Sequence, residues 1–199
     1  TNRVESLKNA IGHYAAIEQY LQSVANKMEE ALGKENFQSE IFLKQFDFSL
    51  QMILFKVITA DGEADESEIY AIKNIPHHGD VLDYLSENLN YPFFWGNLEQ
   101  RDIQSLVNFD AQLDGSIEAI FDNFMEYVAF VDLNGETSEA VFLRVAQAID
   151  EIATDVAGVN GLIEGSERLR IYESLVSILR KKYDECVQRV CQRSKPGEA

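Results

Sequence analysis

Two short stretches of this 199-residue chain carry acidic residues at a spacing able to do chemistry. The first reads Ile58-Thr59-Ala60-Asp61-Gly62-Glu63-Ala64-Asp65-Glu66-Ser67-Glu68, the second Ala157-Gly158-Val159-Asn160-Gly161-Leu162-Ile163-Glu164-Gly165-Ser166-Glu167. Aligned, they share Asp/Asn-Gly, a small or apolar residue two positions on, an acid, then Ser-Glu. Gly62 and Gly161 have the backbone freedom to leave one helix and enter the next, while Ala64 and Ile163 can tuck into a core. Asp61 precedes the turn and Glu68 projects from the first turn of the following helix. Their oxygens can converge near that helix's N-terminus, where the dipole favours negative charge. Carboxylates gathered in one place repel unless a cation or a cap relieves them, and a hard divalent ion, Ca²⁺ or Mg²⁺, suits such oxygens. Asp61 and Glu68 are therefore the strongest candidate metal ligands, with Asp65, Asn160, Glu164 and Glu167 in support. Helix capping accounts for the same residues without any ion, since a side-chain cap is worth about 1 kcal/mol.

Other acidic and aromatic segments invite comparison. Asp110-Ala-Gln-Leu-Asp114-Gly115-Ser-Ile117 matches the start of a calcium EF-hand loop, with Gly at position 6 and an apolar residue at 8. Phe121 stands where the bidentate Glu belongs and Gln112 stands at position 3, which argues against a working loop. Asp132-Leu-Asn134-Gly135-Glu136-Thr-Ser-Glu139 has its Gly out of place for that motif and reads either as a helix connection or as a third, shortened relative of the repeated loop. His77-His78 are adjacent on an expected turn, a placement that seldom lets both face one ion. Tyr91-Pro92-Phe93-Phe94-Trp95-Gly96 concentrates aromatics around the sole Trp. Such a loop either caps a core or presents a partner-binding hot spot at Phe93, Phe94 and Trp95. No metalloprotease, nucleophile-elbow or phosphate-loop pattern occurs, so neither a reaction nor an organic cofactor is expected.

The elements that must position these residues are helical. Tyr14, Ile17, Leu21, Val24, Met28 and Leu32 alternate steps of three and four, predicting a first helix that ends near Gly33. That near-heptad stripe either packs on its own domain or serves a partner helix. Phe42, Phe46, Leu50, Ile53, Leu54 and Val57 share a face of a second helix, and a loop follows at Ala60–Ala64. A third helix starts near Asp65, because Asp65 and Glu68 have capping-pair spacing, and Pro76 stops it. A short helix is expected around Val81–Leu89, then an apolar loop. Stripes at Ile117–Val131, Val141–Val156 and Leu169–Tyr183 predict the later helices. No segment alternates convincingly at period two. The expected fold is all-α, a helical bundle of seven or eight helices built as two pseudo-repeated helix-loop-helix halves. Its expected organisation is an N-terminal helical extension over 1–36 packed on the domain, an all-helical domain over 37–193 and a disordered tail over 194–199.

The repeated loop resembles that of the tellurite-resistance TerB-like family, in which helix pairs are joined by loops of Asp-Gly-x-(Ile/Val)-x-x-x-Glu type. Asp61-Gly62-Glu63-Ala64-Asp65-Glu66-Ser67-Glu68 carries the resemblance, and Asn160 to Glu167 is the second copy with Asn in place of Asp. The resemblance implies an all-helical pseudo-twofold fold, an acidic metal-binding site, a role in stress or tellurite resistance, and no catalytic activity. Composition agrees in outline: 34 Asp and Glu against 17 Lys and Arg give a formal charge of −17. That surplus disfavours nucleic acid and anionic lipid, both of which need cationic footprints. Thr1–Leu32 has no signal-peptide apolar run, and no window is long and apolar enough to span a membrane. Cys186 and Cys191 lie five apart on one expected helix and face different ways, which fits a reducing cytoplasm. The leading expectation is a cytoplasmic, non-enzymatic module that binds a divalent cation through its acidic loops; the alternative is a metal-free helical adaptor that holds an unidentified protein partner through the aromatic loop or the first helix.

Overall fold

The most apolar segment dictates what lies at the centre. In a computed structural model describing residues 3–76, 80–91, 93–94, 97–135, 140–158 and 166–193, helix α2 (Ser39–Ile58) buries side chains on every side. Phe46, Leu50, Met52, Ile53, Leu54 and Phe55 are all at most 1% exposed. A helix apolar all round must be enclosed by others, and α2 is enclosed. Helix α1 (Arg3–Leu32) packs against it and against α7 (Ala140–Ala157), while α6 (Ile117–Asn134) and α8 (Glu167–Arg193) pair closely with each other and with α2. The short helices α3 (Glu66–Asn74), α4 (Val81–Leu89) and α5 (Gln100–Asn108) follow α2 in the chain. Among the described residues there are eight α-helices, one 3₁₀ helix at Asp110–Ser116 and no strand.

Aromatic side chains fill the middle. The Phe42 ring lies 6.1 Å from Phe124 and 5.8 Å from Tyr127, and Phe46 lies 5.8 Å from Phe124. The α1 stripe is used inside the chain: Tyr14, Ile17 and Leu21 are buried, and Val24, Met28 and Leu32 pack against the core. Its face is thus closed to a partner helix. Cys186 is buried and Cys191 exposed, both as free thiols. Among the described residues no helix is long and apolar enough to cross a membrane.

Buried polar groups tie the helices to one another. Tyr14 donates its hydroxyl to Asp47 at 2.7 Å, joining α1 to α2. Tyr172 donates to Asp150 at 2.9 Å, joining α8 to α7. Asp132, near the end of α6, accepts the Val141 N–H at 2.7 Å, the Phe142 N–H at 3.1 Å and the Tyr183 hydroxyl at 2.9 Å. One carboxylate on another helix thereby caps the otherwise unpaired first-turn donors of α7 and pins α8. Asp132 to Gly135 close α6, and residues 136–139 of that segment lie outside the described residues.

Two elements were not anticipated, α5 and the 3₁₀ helix. Over its two turns α5 has only Ile103 and Leu106 as fully buried apolar residues, too few for a periodicity to register. Its start is fixed by Asp102, which accepts the Glu99 N–H at 2.9 Å and the Tyr91 hydroxyl at 2.7 Å. The expected tail at 194–199 and the His77-His78 turn lie outside the described residues.

Loss of the Asp132 carboxylate leaves two amides and a hydroxyl without their acceptor. Asp132→Ala is expected to lower unfolding free energy in urea by about 2–3 kcal/mol, and Tyr183→Phe by about 1 kcal/mol.

Candidate functional site

The loop after α2 forms because the helix runs out of apolar sequence at Ile58. Thr59 turns its hydroxyl back onto the Phe55 carbonyl at 2.7 Å. Gly62 takes a φ of +80°, open to glycine without strain, and Ala64 tucks against the core. Asp65 then caps α3. Its Oδ1 accepts the Glu68 N–H at 2.7 Å and the Ser67 hydroxyl at 2.6 Å, while Glu68 Oε1 accepts the Asp65 N–H at 3.2 Å. The expected capping pair is a reciprocal capping box.

Capping leaves one Glu68 oxygen, and most of its charge, buried; the side chain is 5% exposed. The compensating cation comes from the opposite hairpin. Arg168, in the first turn of α8, donates from Nη1 to Glu68 Oε2 at 2.8 Å and from Nη2 to Oε1 at 3.2 Å. The same guanidinium donates to the Ile58 carbonyl at 3.0 Å and the Ala157 carbonyl at 3.2 Å. These are the last residues of α2 and α7, where helix dipoles concentrate negative potential. Asp61 Oδ2 lies 3.6 Å from Arg168 Nε, and Asp61 Oδ1 accepts the Glu63 N–H at 3.0 Å. Arg3 closes the rim, donating to Ser67 Oγ at 3.1 Å and to the Val156 carbonyl at 2.8 Å.

Burial pushes the Glu68 carboxyl above its ordinary value, against the pull of Arg168 and the Asp65 N–H. Asp65 goes the other way. Burial would raise it, but bonds from Ser67 and the Glu68 N–H, with the Arg3 charge, hold it below the usual carboxylate range.

The structure therefore brings Asp61, Asp65 and Glu68 together, as the spacing suggested, but gathers Asp61 and Glu68 around a guanidinium. Glu167 is not brought in: it pairs with Arg170 on the exposed side of α8. Its neighbour Ser166 accepts the Leu169 N–H at 3.1 Å and opens α8. Asn160 and Glu164 lie outside the described residues. Among the described residues no group of three or more His, Cys, Asp or Glu side chains converges as metal ligands would.

The EF-hand-like segment resolves the same way. Asp110–Ser116 winds into the 3₁₀ helix and does not form an open ion loop. Asp110 Oδ2 and Asp114 Oδ1 both receive Lys56 Nζ, the former at 3.0 Å. Lys56 interrupts the most apolar run of the sequence and its side chain is 7% exposed. Burial raises the Asp110 carboxyl, and the Lys56 ammonium opposes that rise.

In the aromatic loop, Phe93 packs on the core with its ring 4.7 Å from Tyr91. Phe94 is 73% exposed, and Trp95 lies outside the described residues. A cleft of about 710 Å³ opens between the Asp61–Ser67 loop and one face of α5, with the carboxylates of Asp61, Glu63, Asp65 and Glu66 on one wall and Ile103 and Val107 on the other. Arg168 also lines it.

Sequence reasoning missed Arg168 and Lys56. Lys56 had a signal, as the one cation in an apolar run, and Arg168 directly follows the last acid of the second repeat. Comparison with protein-family models, curated proteins and solved structures finds no match.

Removing the guanidinium strands a buried carboxylate. Arg168→Met is expected to cost about 3–5 kcal/mol in urea denaturation, and adding Glu68→Met to restore much of it. A carboxyl with a higher pKa folded than unfolded holds its proton more tightly in the native state. The Glu68 contribution to stability therefore falls as pH rises from 4.5 through the raised value. Arg168→Met steepens that fall and Glu68→Gln abolishes it, as read from unfolding free energies between about pH 4 and 7.

Proposed function

We propose that this chain is a non-enzymatic helical binding module whose acidic cleft receives a cationic segment of a protein partner. One observation carries the reading. The cleft beside α5 is walled by carboxylates, and its internal cation, Arg168, is already engaged by Glu68, Ile58 and Ala157. Glu63 and Glu66 remain exposed at its mouth, on a chain of net charge −17. Such a surface attracts cations and speeds their encounter. The resemblance of Asp61–Glu68 to the TerB-like loop implies a binding role in stress or tellurite resistance. The look-alike segment at Asn160–Glu167, 99 positions on, supports two related halves. A reducing, cytoplasmic setting agrees with the free thiols.

A second reading, capture of Ca²⁺ or Mg²⁺, is favoured by the half-exposed Asp61 carboxylate beside Glu68. It requires Arg168 to give up Glu68, because both Glu68 oxygens are occupied.

Thermal melts separate the two. With the guanidinium in place, millimolar Ca²⁺ or Mg²⁺ leaves the wild-type melting temperature unchanged, while a Lys-rich peptide raises it at low salt. A rise with metal that is lost in Asp61→Ala would favour the ion over the peptide.

A further inference from the structure

Helix α5 separates two clefts. Gln100, Ile103, Gln104 and Val107, at the i, i+3, i+4, i+7 positions of one face, line the acidic cleft. The other flank of its first turn, Glu99, Arg101 and Asp102, lines a second cleft of about 480 Å³ with Phe94 and Tyr91. The two walls are thus opposite sides of one short helix. Their chemistry differs. The first presents carboxylates over an apolar strip, while the second presents the Phe94 ring, the most exposed large apolar side chain among the described residues. Arg101 there pairs with Glu99 at 2.9 Å, and Asp102 accepts the Tyr91 hydroxyl at 2.7 Å. An apolar group is therefore what that second cleft can gain by covering.

From this juxtaposition we infer that the two clefts form one bipartite docking surface straddling α5, and that its occupant is a cationic amphipathic helix of a partner protein. Lys or Arg side chains enter the acidic cleft and an apolar side chain covers Phe94. Charge complementarity selects that partner: the acidic wall and the chain's charge of −17 repel an acidic helix. The apolar anchor adds a contact that salt does not screen. The inference rests on the cationic-partner reading above and adds to it the requirement for apolar residues.

Fluorescence-polarisation titrations with three synthetic peptides of roughly 15 residues, long enough to form a helix on the surface, test it. One peptide alternates Lys and Leu at helical spacing, one carries the same Lys with Gly in place of Leu, and one has Glu in place of Lys. The wild-type protein is expected to bind Lys/Leu at least about tenfold more tightly than Lys/Gly, and Glu/Leu not at all. Phe94→Ser removes that preference without changing Lys/Gly binding, whereas the Glu63→Gln, Glu66→Gln double variant weakens both Lys peptides. Equal affinity for Lys/Leu and Lys/Gly, or a preference that survives Phe94→Ser, overturns the bipartite surface while leaving the cationic cleft standing. If no Lys peptide binds at low salt, the cleft reading itself fails, and this inference with it. All these side chains are exposed, so circular dichroism spectra are expected to match wild type.

Discussion

A carboxylate and a guanidinium, both withdrawn from water, set the terms for the rest of this molecule. Each would cost several kcal/mol to bury alone. Together, Glu68 and Arg168 satisfy each other with two hydrogen bonds, and Arg168 also takes up the terminal carbonyls of α2 and α7. Residues 100 positions apart in the chain are thereby fixed at one point. The helix pair α2–α3 cannot move independently of α7–α8 without exposing the pair or stranding one partner. An apolar core could hold these helices near one another; the ion pair specifies the register in which they meet.

The same solution recurs. In a chain with twice as many acids as bases, several of the scarce cations point inward. Lys56 neutralises Asp110 and Asp114, and Arg189 reaches Asp122 at 2.9 Å. Elsewhere a carboxylate accepts neutral donors, as Asp47 does from Tyr14 and Asp132 from Tyr183 and the α7 amides. Among the described residues, the Asp61–Glu68 and Asp110–Ser116 segments, which look like ion-binding loops, are closed by side chains of the protein itself. The acids left over face solvent, and this gives the surface beside α5 its character.

Much of this arrangement was legible in the sequence. The long stripes from Tyr14 to Leu32 and from Ile117 to Val131 are real helices, because each repeats its apolar positions over several turns. The Asp65/Glu68 spacing announced a capping box, and Gly62 marked the turn before it. What could not be read was which cation meets which acid. Local periodicity says nothing of residues brought together across 100 positions, so the pairing of Arg168 with Glu68 leaves no trace in it. Lys56 looked like a blemish in an apolar run when it is the counter-charge of a distant helix. Helix α5 was missed for a different reason, having too few apolar positions to show a period. Asn160, Glu164 and Trp95 lie outside the described residues.

The central claim is that the acidic loop carries its own cation. A high-resolution crystal structure from crystals grown in millimolar Ca²⁺ addresses it most directly. The account predicts the Arg168 guanidinium bridging both Glu68 oxygens, with no ion beside them. A Ca²⁺ at about 2.3–2.6 Å from oxygens of Asp61 and Glu68, with Arg168 turned away, would contradict it.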